Sequence, residues 1–146
     1  MSAKEIKALE RRFVEEWNKG KAATMAIIDE LCATNITYHG ASGEEIHGLK
    51  GFKQSMSEFY SAFPDSHFTI DDMIVEGDKV AVRWAMTCTH KGEFSGIPPT
   101  NKKVTMWGIY IDRVAGGKFV ETWEGFDTLG MMQQLGLVLT SGKGRK

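Results

Sequence analysis

Asp127 is the carboxylate whose place in the sequence points most directly to chemistry. It lies between a strand pattern and a helix pattern, in the run Phe126-Asp127-Thr128-Leu129. A carboxylate beside an apolar pocket is poorly solvated, so its pKa rises and it can serve as a general acid or base near neutral pH. Aspartate is also a preferred residue for capping the N-terminus of a helix. The sequence leaves both roles open, and they are compatible.

The four histidines offer hydrogen-bonding groups, and their spacing does not predict a metal site. His39 ends a short apolar strand pattern and His90 ends a long one, so each is either a polar strand end or a pocket group. His47 and His67 are expected at the surface. No two histidines are separated by two or four residues, and the two cysteines fit no metal or redox spacing. We therefore expect no metal ion.

Helical spacing of apolar residues predicts three helices in the first half of the chain. The first begins at Ser2 and Glu5, which have the spacing of a capping box. The second is expected over about 22–31. The third begins near Leu49 and ends at Pro64, where the chain must turn because proline cannot continue a helix. Between the last two, residues 36–39 form a short extended segment.

Alternation of apolar and polar residues replaces the helical pattern from residue 67 onward. It predicts strands over about 67–75, 79–90, 103–113 and 118–126, with a last helix over about 128–137. A strand of about 12 residues spans about 40 Å, and a sheet that long must twist and curl. Helices followed by long antiparallel strands indicate an α+β fold, an open cone that encloses an apolar pocket.

Strand alternation and the helical stripes also predict which side chains line this pocket. The expected lining residues are Trp17, Phe59, Trp84, Met86, His90, Trp107, Tyr110 and Trp123. On the last strand, alternation from Phe119 places Glu121, Trp123 and Asp127 on a common face. A β-bulge at any point would move the residues beyond it to the opposite face.

Length and composition predict one globular domain and exclude several classes of partner. The 146 residues are 42% hydrophobic and 25% charged, and we expect a single domain over 1–138 followed by a flexible tail over 139–146. The net charge of −1 argues against binding nucleic acid or an anionic membrane. The N-terminal residues lack the apolar run of a signal peptide, so a cytoplasmic location is expected.

Five runs of sequence resemble the SnoaL-like polyketide cyclases, also called ester cyclases, of the nuclear transport factor 2-like superfamily. The runs are Phe63-Pro64-Asp65, Glu76-Gly77-Asp78-Lys79-Val80, Thr89 to Thr100, Gly117 to Trp123, and Asp127 to Gly136. Together with the helical first half, the resemblance covers nearly the whole chain. It implies a cone-shaped α+β barrel, which is often a homodimer.

The resemblance also implies chemistry without a cofactor on a small apolar or aromatic carbonyl ligand. In the characterised cyclases a pocket aspartate removes a proton from an activated carbon, and the enolate closes a ring by an intramolecular aldol step. That aspartate matches Asp127, and a pocket histidine of the family matches His39. Thr122 and Tyr110 stand at positions where many members carry histidine.

Three functional hypotheses follow from the sequence. The first is a cofactor-independent cyclase, isomerase or lyase that uses Asp127 as its acid and base. The second is a small-molecule-binding module of the same fold without catalysis. The third is an interaction or dimerisation module with a vestigial pocket. Retention of Asp127, His39 and the large apolar residues favours the first hypothesis over the third.

Overall fold

The structure, a computed structural model, describes residues 1–137. The helices are α1 (Ala3–Trp17), α2 (Lys21–Leu31), α3 (Leu49–Ala62) and α4 (Thr128–Gln134). The strands are β1 (Cys32–His39), β2 (Glu45–His47), β3 (His67–Glu76), β4 (Lys79–Thr89), β5 (Lys103–Ala115) and β6 (Lys118–Phe126). The predicted domain end at 138 and the predicted tail over 139–146 lie outside the described residues.

Helix α1 begins at the predicted capping box and presents a buried face to the sheet. The Ser2 hydroxyl accepts a hydrogen bond from the amide of Glu5, and the Glu5 carboxylate accepts one from the amide of Ser2. The buried residues Ile6, Glu10 and Trp17 recur at helical spacing. The buried face therefore includes a glutamate among apolar residues, and that glutamate reaches the interior of the fold.

The six strands form one curved sheet in the order β2-β1-β6-β5-β4-β3. The prediction of an α+β fold with helices packed on a curved sheet is confirmed. Two details differ from the expectation. Strand β1 pairs with β6 in parallel, so the sheet is mixed. Within residues 1–137, β2 and β3 are the two edge strands and do not pair with each other, so the sheet is not closed into a barrel. The short strand β2, which the sequence did not indicate, extends the sheet beyond β1.

A β-bulge in β6 decides which of its side chains face the helices. On β5, Val114 pairs with Phe119, and Arg113, which directly precedes Val114, pairs with Glu121. Val120 is therefore an extra residue, and alternation reverses across it. Phe119, before the bulge, and Thr122, after it, therefore both lie on the inner face of the sheet.

The helices cover the inner face of the sheet and leave a cavity between the two layers. Buried residues on this face include Val82, Trp84 and Met86 of β4 and Met106 and Tyr110 of β5. Among residues 1–137, no helix has the length and apolar character needed to cross a membrane.

Candidate active site

The cavity between helices and sheet has a volume of about 770 Å³. This size lies within the range of about 300–1,000 Å³ that is typical of small-molecule sites. Its wall is mostly aromatic and thioether. These lining residues include Phe13, Trp17, Tyr38, Phe52, Phe59, Phe68, Trp84, Met86, Met106, Tyr110, Phe119, Phe126 and Met131. Such a wall suits an apolar or aromatic ligand.

Five of the eight side chains predicted for the pocket lie in this wall. They are Trp17, Phe59, Trp84, Met86 and Tyr110. The first two come from the buried stripes of α1 and α3, and the other three come from inner positions of β4 and β5. The wall therefore contains residues from the helical stripes as well as from the alternating strand positions.

The structure places the other three predicted pocket residues elsewhere. Trp107 is 54% exposed on the outer face of β5, because it is an odd number of positions from the inward Tyr110. Trp123 lies beyond the β6 bulge and faces outward. His90 is fully buried beneath the 90–102 loop, where its ring packs on Phe63 and its Nδ1 accepts a hydrogen bond from the Thr100 amide.

Asp127 also lies outside the cavity wall. Its side chain is exposed, and Oδ1 accepts a hydrogen bond from the Gly130 amide at 2.9 Å as the N-cap of α4. The amide of Asp127 donates to the carbonyl of Trp107. Of the two roles that the sequence left open, the geometry supports the helix cap.

His39 occupies the outer face of β1 next to the inward Tyr38. Its Nε2 lies 2.8 Å from Oε2 of Glu121, and its Nδ1 lies 3.1 Å from Oε2 of Glu45. The imidazole stacks on Trp123, with ring centroids 5.3 Å apart. In this structure His39 links β1, β2 and β6 on the side of the sheet away from the cavity.

Polar side chains that the sequence did not single out form a cluster in the cavity wall. Cross-strand pairing sets Tyr110 opposite Glu124 and Asp112 opposite Thr122 on the inner face of β5 and β6. Glu10 approaches the same place from α1, and its Oε1 accepts a 2.7 Å hydrogen bond from the Tyr110 hydroxyl. We call these five residues the carboxyl cluster; all of them line the cavity.

Burial gives the three acids of this cluster unusual proton affinities. Burial and the nearby charge of Asp112 raise the pKa of Glu124 to about 8, although the Trp84 indole donates a hydrogen bond to Glu124 at 3.3 Å. Burial also raises the pKa of Glu10 well above its ordinary value, and the charge of Asp112 adds to that rise. At neutral pH the cluster therefore holds protonated carboxyl groups inside an apolar cavity, which is the condition for acid–base work.

The sequence of this protein matches the SnoaL-like polyketide cyclase family over residues 7–135. This match spans most of the chain. The protein belongs to that family. The resemblance noted from the sequence is thereby confirmed.

Two similar proteins are named as ester cyclases. The chain is 28% identical over 131 residues to the aklanonic acid methyl ester cyclase DauD of Streptomyces sp. (strain C5), covering 88% of this chain and 80% of DauD. It is equally similar to DnrD of Streptomyces peucetius, another aklanonic acid methyl ester cyclase, with 88% of each chain covered. Because the relatives are cyclases, a cyclase-like function is supported for this SnoaL-like protein.

Solved structures share the fold closely. AclR, a candidate hydroxylase from Streptomyces galilaeus, superposes with a TM-score of 0.82 at 29% identity, covering 94% of this chain and all of AclR. A candidate polyketide cyclase from Bacillus cereus superposes with a TM-score of 0.74 at 30% identity, covering 95% and 87% of the two chains. Since the fold hosts differently named activities, the reaction must be argued from the site.

The charge of the cavity in this SnoaL-like protein is one-sided. Among the described residues that line it, none is lysine, arginine or histidine, whereas six are acidic: Glu10, Glu44, Glu58, Glu93, Asp112 and Glu124. The first, fifth and sixth belong to the carboxyl cluster, and the other three are exposed. Within residues 1–137, no group of three His, Cys, Asp or Glu side chains is arranged to hold a metal ion.

Sequence signals for the carboxyl cluster were present but were weaker than those for Asp127. Asp112 lies two positions after the inward Tyr110 on β5, so alternation places it inward. Glu124 lies two positions after Thr122 on β6, and alternation places it inward once the bulge is known. Glu10 lies four positions after Ile6 on the buried face of α1. A charged residue at an inner position of an apolar pattern is the signal that indicates such a group.

Proposed function

We propose that this protein is a cofactor-independent, cyclase-like enzyme that acts on a small apolar carbonyl compound. The observation that carries the proposal is the carboxyl cluster in the wall of an otherwise apolar cavity. Two buried acids, Glu10 and Asp112, and the half-buried Glu124 offer proton acceptors and donors, with a tyrosine hydroxyl and an indole N–H beside them. The polyketide ester cyclases DauD and DnrD, to which the chain is similar, indicate the class of reaction.

The chemistry is an intramolecular aldol closure. A cluster carboxylate removes a proton from a carbon that lies between two carbonyl groups, and the C–H electron pair becomes an enolate. The enolate carbon attacks a second carbonyl of the same molecule, so a C–C bond forms and that carbonyl oxygen becomes an alkoxide. A protonated carboxyl then gives the alkoxide its proton. No electron is gained or lost, so the step balances without a redox partner.

Glu124 suits the part of the proton donor. With a pKa of about 8, it is mostly protonated at pH 7, and a neutral carboxylic acid can donate a hydrogen bond to a developing enolate oxygen. A fixed donor in a largely apolar wall stabilises a developing oxyanion far more than a donor in water does. The Trp84 indole, which donates to Glu124 Oε2, holds the carboxyl in place.

Apolar packing contributes to ring closure as well. A flexible chain must fold on itself before the enolate can reach its carbonyl, and binding in a shaped cavity supplies that order in advance. The aromatic side chains of Trp17, Phe59 and Phe68 form a broad surface for this purpose. We expect a ligand with extended or fused rings rather than a small hydrophilic one.

Deuterium uptake tests the proposal without knowledge of the natural substrate. The protein is incubated in deuterated water with β-keto esters and aromatic diketides, and uptake at carbon is followed by mass spectrometry. We expect uptake by the wild type, a loss of about 10²-fold in Glu124→Gln, which keeps the shape but cannot give up a proton, and wild-type rates in Asp127→Asn.

Each alternative has its own outcome in this experiment. Loss of uptake in Asp127→Asn with full uptake in Glu124→Gln would instead support the prediction, drawn from the sequence, that Asp127 is the base. Absence of uptake above buffer across the panel, together with a small molecule that co-purifies with the protein, would contradict the enzyme proposal in favour of a binding module.

A further inference from the structure

Glu10 and Asp112, two acids of the carboxyl cluster, have fewer hydrogen-bond donors around them than their carboxylate oxygens could accept from. The Tyr110 hydroxyl donates to Oε1 of Glu10 at 2.7 Å, and the Thr122 hydroxyl donates to Oδ1 of Asp112 at 2.7 Å. Oε2 of Glu10 is buried, and it has no donor within reach among the described residues. Both side chains are buried, with Glu10 1% exposed and Asp112 6% exposed.

No cation in the cavity wall compensates these charges. The described lining residues include no lysine, arginine or histidine. Burying two unpaired carboxylates side by side would be very costly, both through desolvation and through mutual repulsion. A single proton held between them removes the repulsion and supplies the donor that Oε2 of Glu10 lacks. Carboxyl pairs in other enzymes share a proton for the same reason.

The surroundings decide which member of the pair carries the proton. Burial raises the pKa of Asp112, and the hydrogen bond that the Thr122 hydroxyl donates to Oδ1 opposes that rise. For Glu10, burial and the neighbouring charge of Asp112 both raise the pKa. The contacts favour the same member: Oε1 of Glu10 already accepts from Tyr110, and a proton on Oε2 of Glu10 would turn that partnerless acceptor into a donor.

We propose that Glu10 and Asp112 share one proton, with Asp112 as the carboxylate that removes the substrate proton and Glu10 as the neutral acid that positions it. This assignment rests on the proposed function and names the base within it. Asp112 lines the cavity, so it can touch the substrate. Glu10 acts through Asp112 and is a positioning residue.

The proton balance of the step is simple. The substrate C–H bond breaks, its proton passes to the free oxygen of Asp112, and the electron pair stays on the substrate as the enolate. Glu10 keeps its own proton throughout and donates a hydrogen bond to Asp112 before and after the transfer. After ring closure Asp112 loses the proton it took to solvent, and Glu124, which protonated the alkoxide, regains one from solvent, so the cluster returns to its starting state.

Other titratable groups face the pair from each neighbouring strand. Tyr110 comes from β5, Glu124 from β6 and Cys32 from β1. Burial raises the pKa of the Cys32 thiol, and it raises the pKa of the Tyr110 hydroxyl well above its ordinary value, so both stay neutral in the working range. Burial also raises the pKa of the Tyr38 hydroxyl on β1. Among these described neighbours, Glu124 titrates near pH 8 and accounts for the alkaline limb of a pH–rate profile, so the acidic limb is assigned to Asp112.

The test compares three substitutions by deuterium uptake as a function of pH. Asp112→Asn removes the base, and we expect a loss of at least about 10³-fold at every pH. Glu10→Leu removes the donor to Asp112, so the pKa of Asp112 rises and the acidic limb moves to higher pH by about one unit. Glu10→Gln supplies an amide N–H in place of the acid, and we expect it to bring the limb back toward the wild-type position.

An opposite pattern overturns the assignment. If Glu10→Gln abolishes uptake while Asp112→Asn keeps it, Glu10 is the base. If the limb stays in place in Glu10→Leu, Glu10 does not position Asp112. Thermal unfolding of each variant separates these results from misfolding, and where Glu10→Leu does not fold, the infrared absorption of the protonated carboxyl decides whether Glu10 carries the proton.

An infrared measurement tests the shared proton without any substrate. At pH 7 we expect the protonated-carboxyl absorption to fall in two steps, first in Glu124→Gln and again when Glu10→Gln is added. Absence of the second step means that Glu10 is ionised and contradicts the proposal. If the wild type takes up no deuterium, the proposed function fails by itself, and this absorption still decides whether the pair holds one proton.

Discussion

Asp112 and Thr122 face each other across β5 and β6, and the Thr122 hydroxyl donates a 2.7 Å hydrogen bond to Oδ1 of Asp112. Both side chains are buried on the inner face of the sheet. This hydrogen bond holds Oδ1 of Asp112 in place. The second oxygen of the carboxylate is left to face Glu10 and the cavity. This relationship gives the site a carboxylate on a rigid strand, which positions a reacting group more accurately than an exposed loop does.

Removal of the Thr122 hydroxyl tests its support of Asp112. In Thr122→Val the carboxylate loses a donor, so its pKa rises and the acidic limb of deuterium uptake moves to higher pH. The lost hydrogen bond also lowers the free energy of unfolding by about 1–2 kcal/mol. Thr122→Ser keeps the hydroxyl, and its limb should remain near that of the wild type. An unchanged limb in Thr122→Val would contradict this role.

The raised pKa of Glu124 predicts a dependence of stability on pH. The group ionises near 4.5 in the unfolded chain but only near 8 in the fold, so the folded state binds the proton more tightly. Its contribution to stability is full below about pH 4.5 and is lost as the pH rises through about 8. Urea unfolding at a series of pH values should show this decline, and Glu124→Gln should flatten it relative to the exposed control Glu76→Gln.

The rate of deuterium uptake should also fall as Glu124 loses its proton. The carboxyl must be protonated to donate to the enolate, so uptake by the wild type should fall above about pH 8. In Glu124→Gln the side chain no longer titrates. The residual uptake of this variant should lack the alkaline limb, and a limb that persists at the same pH would assign it to another group.

Asp127 should matter for stability rather than for chemistry. Its carboxylate caps α4 through the Gly130 amide, and replacing such a cap by alanine costs about 1 kcal/mol. We expect Asp127→Ala to lower the free energy of unfolding by that amount, whereas Asp127→Asn, which can also cap, should cost less. Chemical denaturation measures both, and a loss of uptake in a stably folded Asp127→Asn would contradict the assignment.

The outer face of the sheet is expected to form a homodimer, as the sequence resemblance implied. Trp107, Ile109 and Ile111 of β5 are 54%, 46% and 38% exposed, and Ile74 on β3 is 66% exposed. Adjacent exposed apolar residues of this size often mark an interface between proteins. Light scattering after gel filtration should give twice the chain mass for the wild type and for Arg11→Glu, and the monomer mass for Ile109→Lys. A monomeric wild type would contradict the expectation.

The architecture could be predicted from the sequence because its signals are local. The capping box at Ser2 and Glu5 starts α1 as expected, and the strand expected over about 67–75 is β3. Helical stripes and strand alternation follow directly from the periods of 3.6 and 2. The parallel pairing of β1 with β6 is a long-range contact, and no local pattern in β1 indicates it.

The site was harder to predict because a single extra residue controls it. The bulge at Val120 turns Glu121 and Trp123 outward and Thr122 and Glu124 inward, and alternation counted from Phe119 gives the reverse. The position of Trp107 needed no bulge, since strict alternation with Tyr110 already places it outside. Tertiary packing, not the local sequence, brings Glu10 of α1 against β5.

Deuterium uptake by Asp112→Asn and Asp127→Asn, measured side by side with the wild type on β-keto esters, tests most directly whether the acid and base lie in the cavity. We predict that Asp112→Asn loses uptake by at least about 10³-fold, within the range of general acid–base catalysis, and that Asp127→Asn keeps it. Retention of uptake in a folded Asp112→Asn, with its loss in Asp127→Asn, would contradict the account and assign the base to Asp127 at the end of β6.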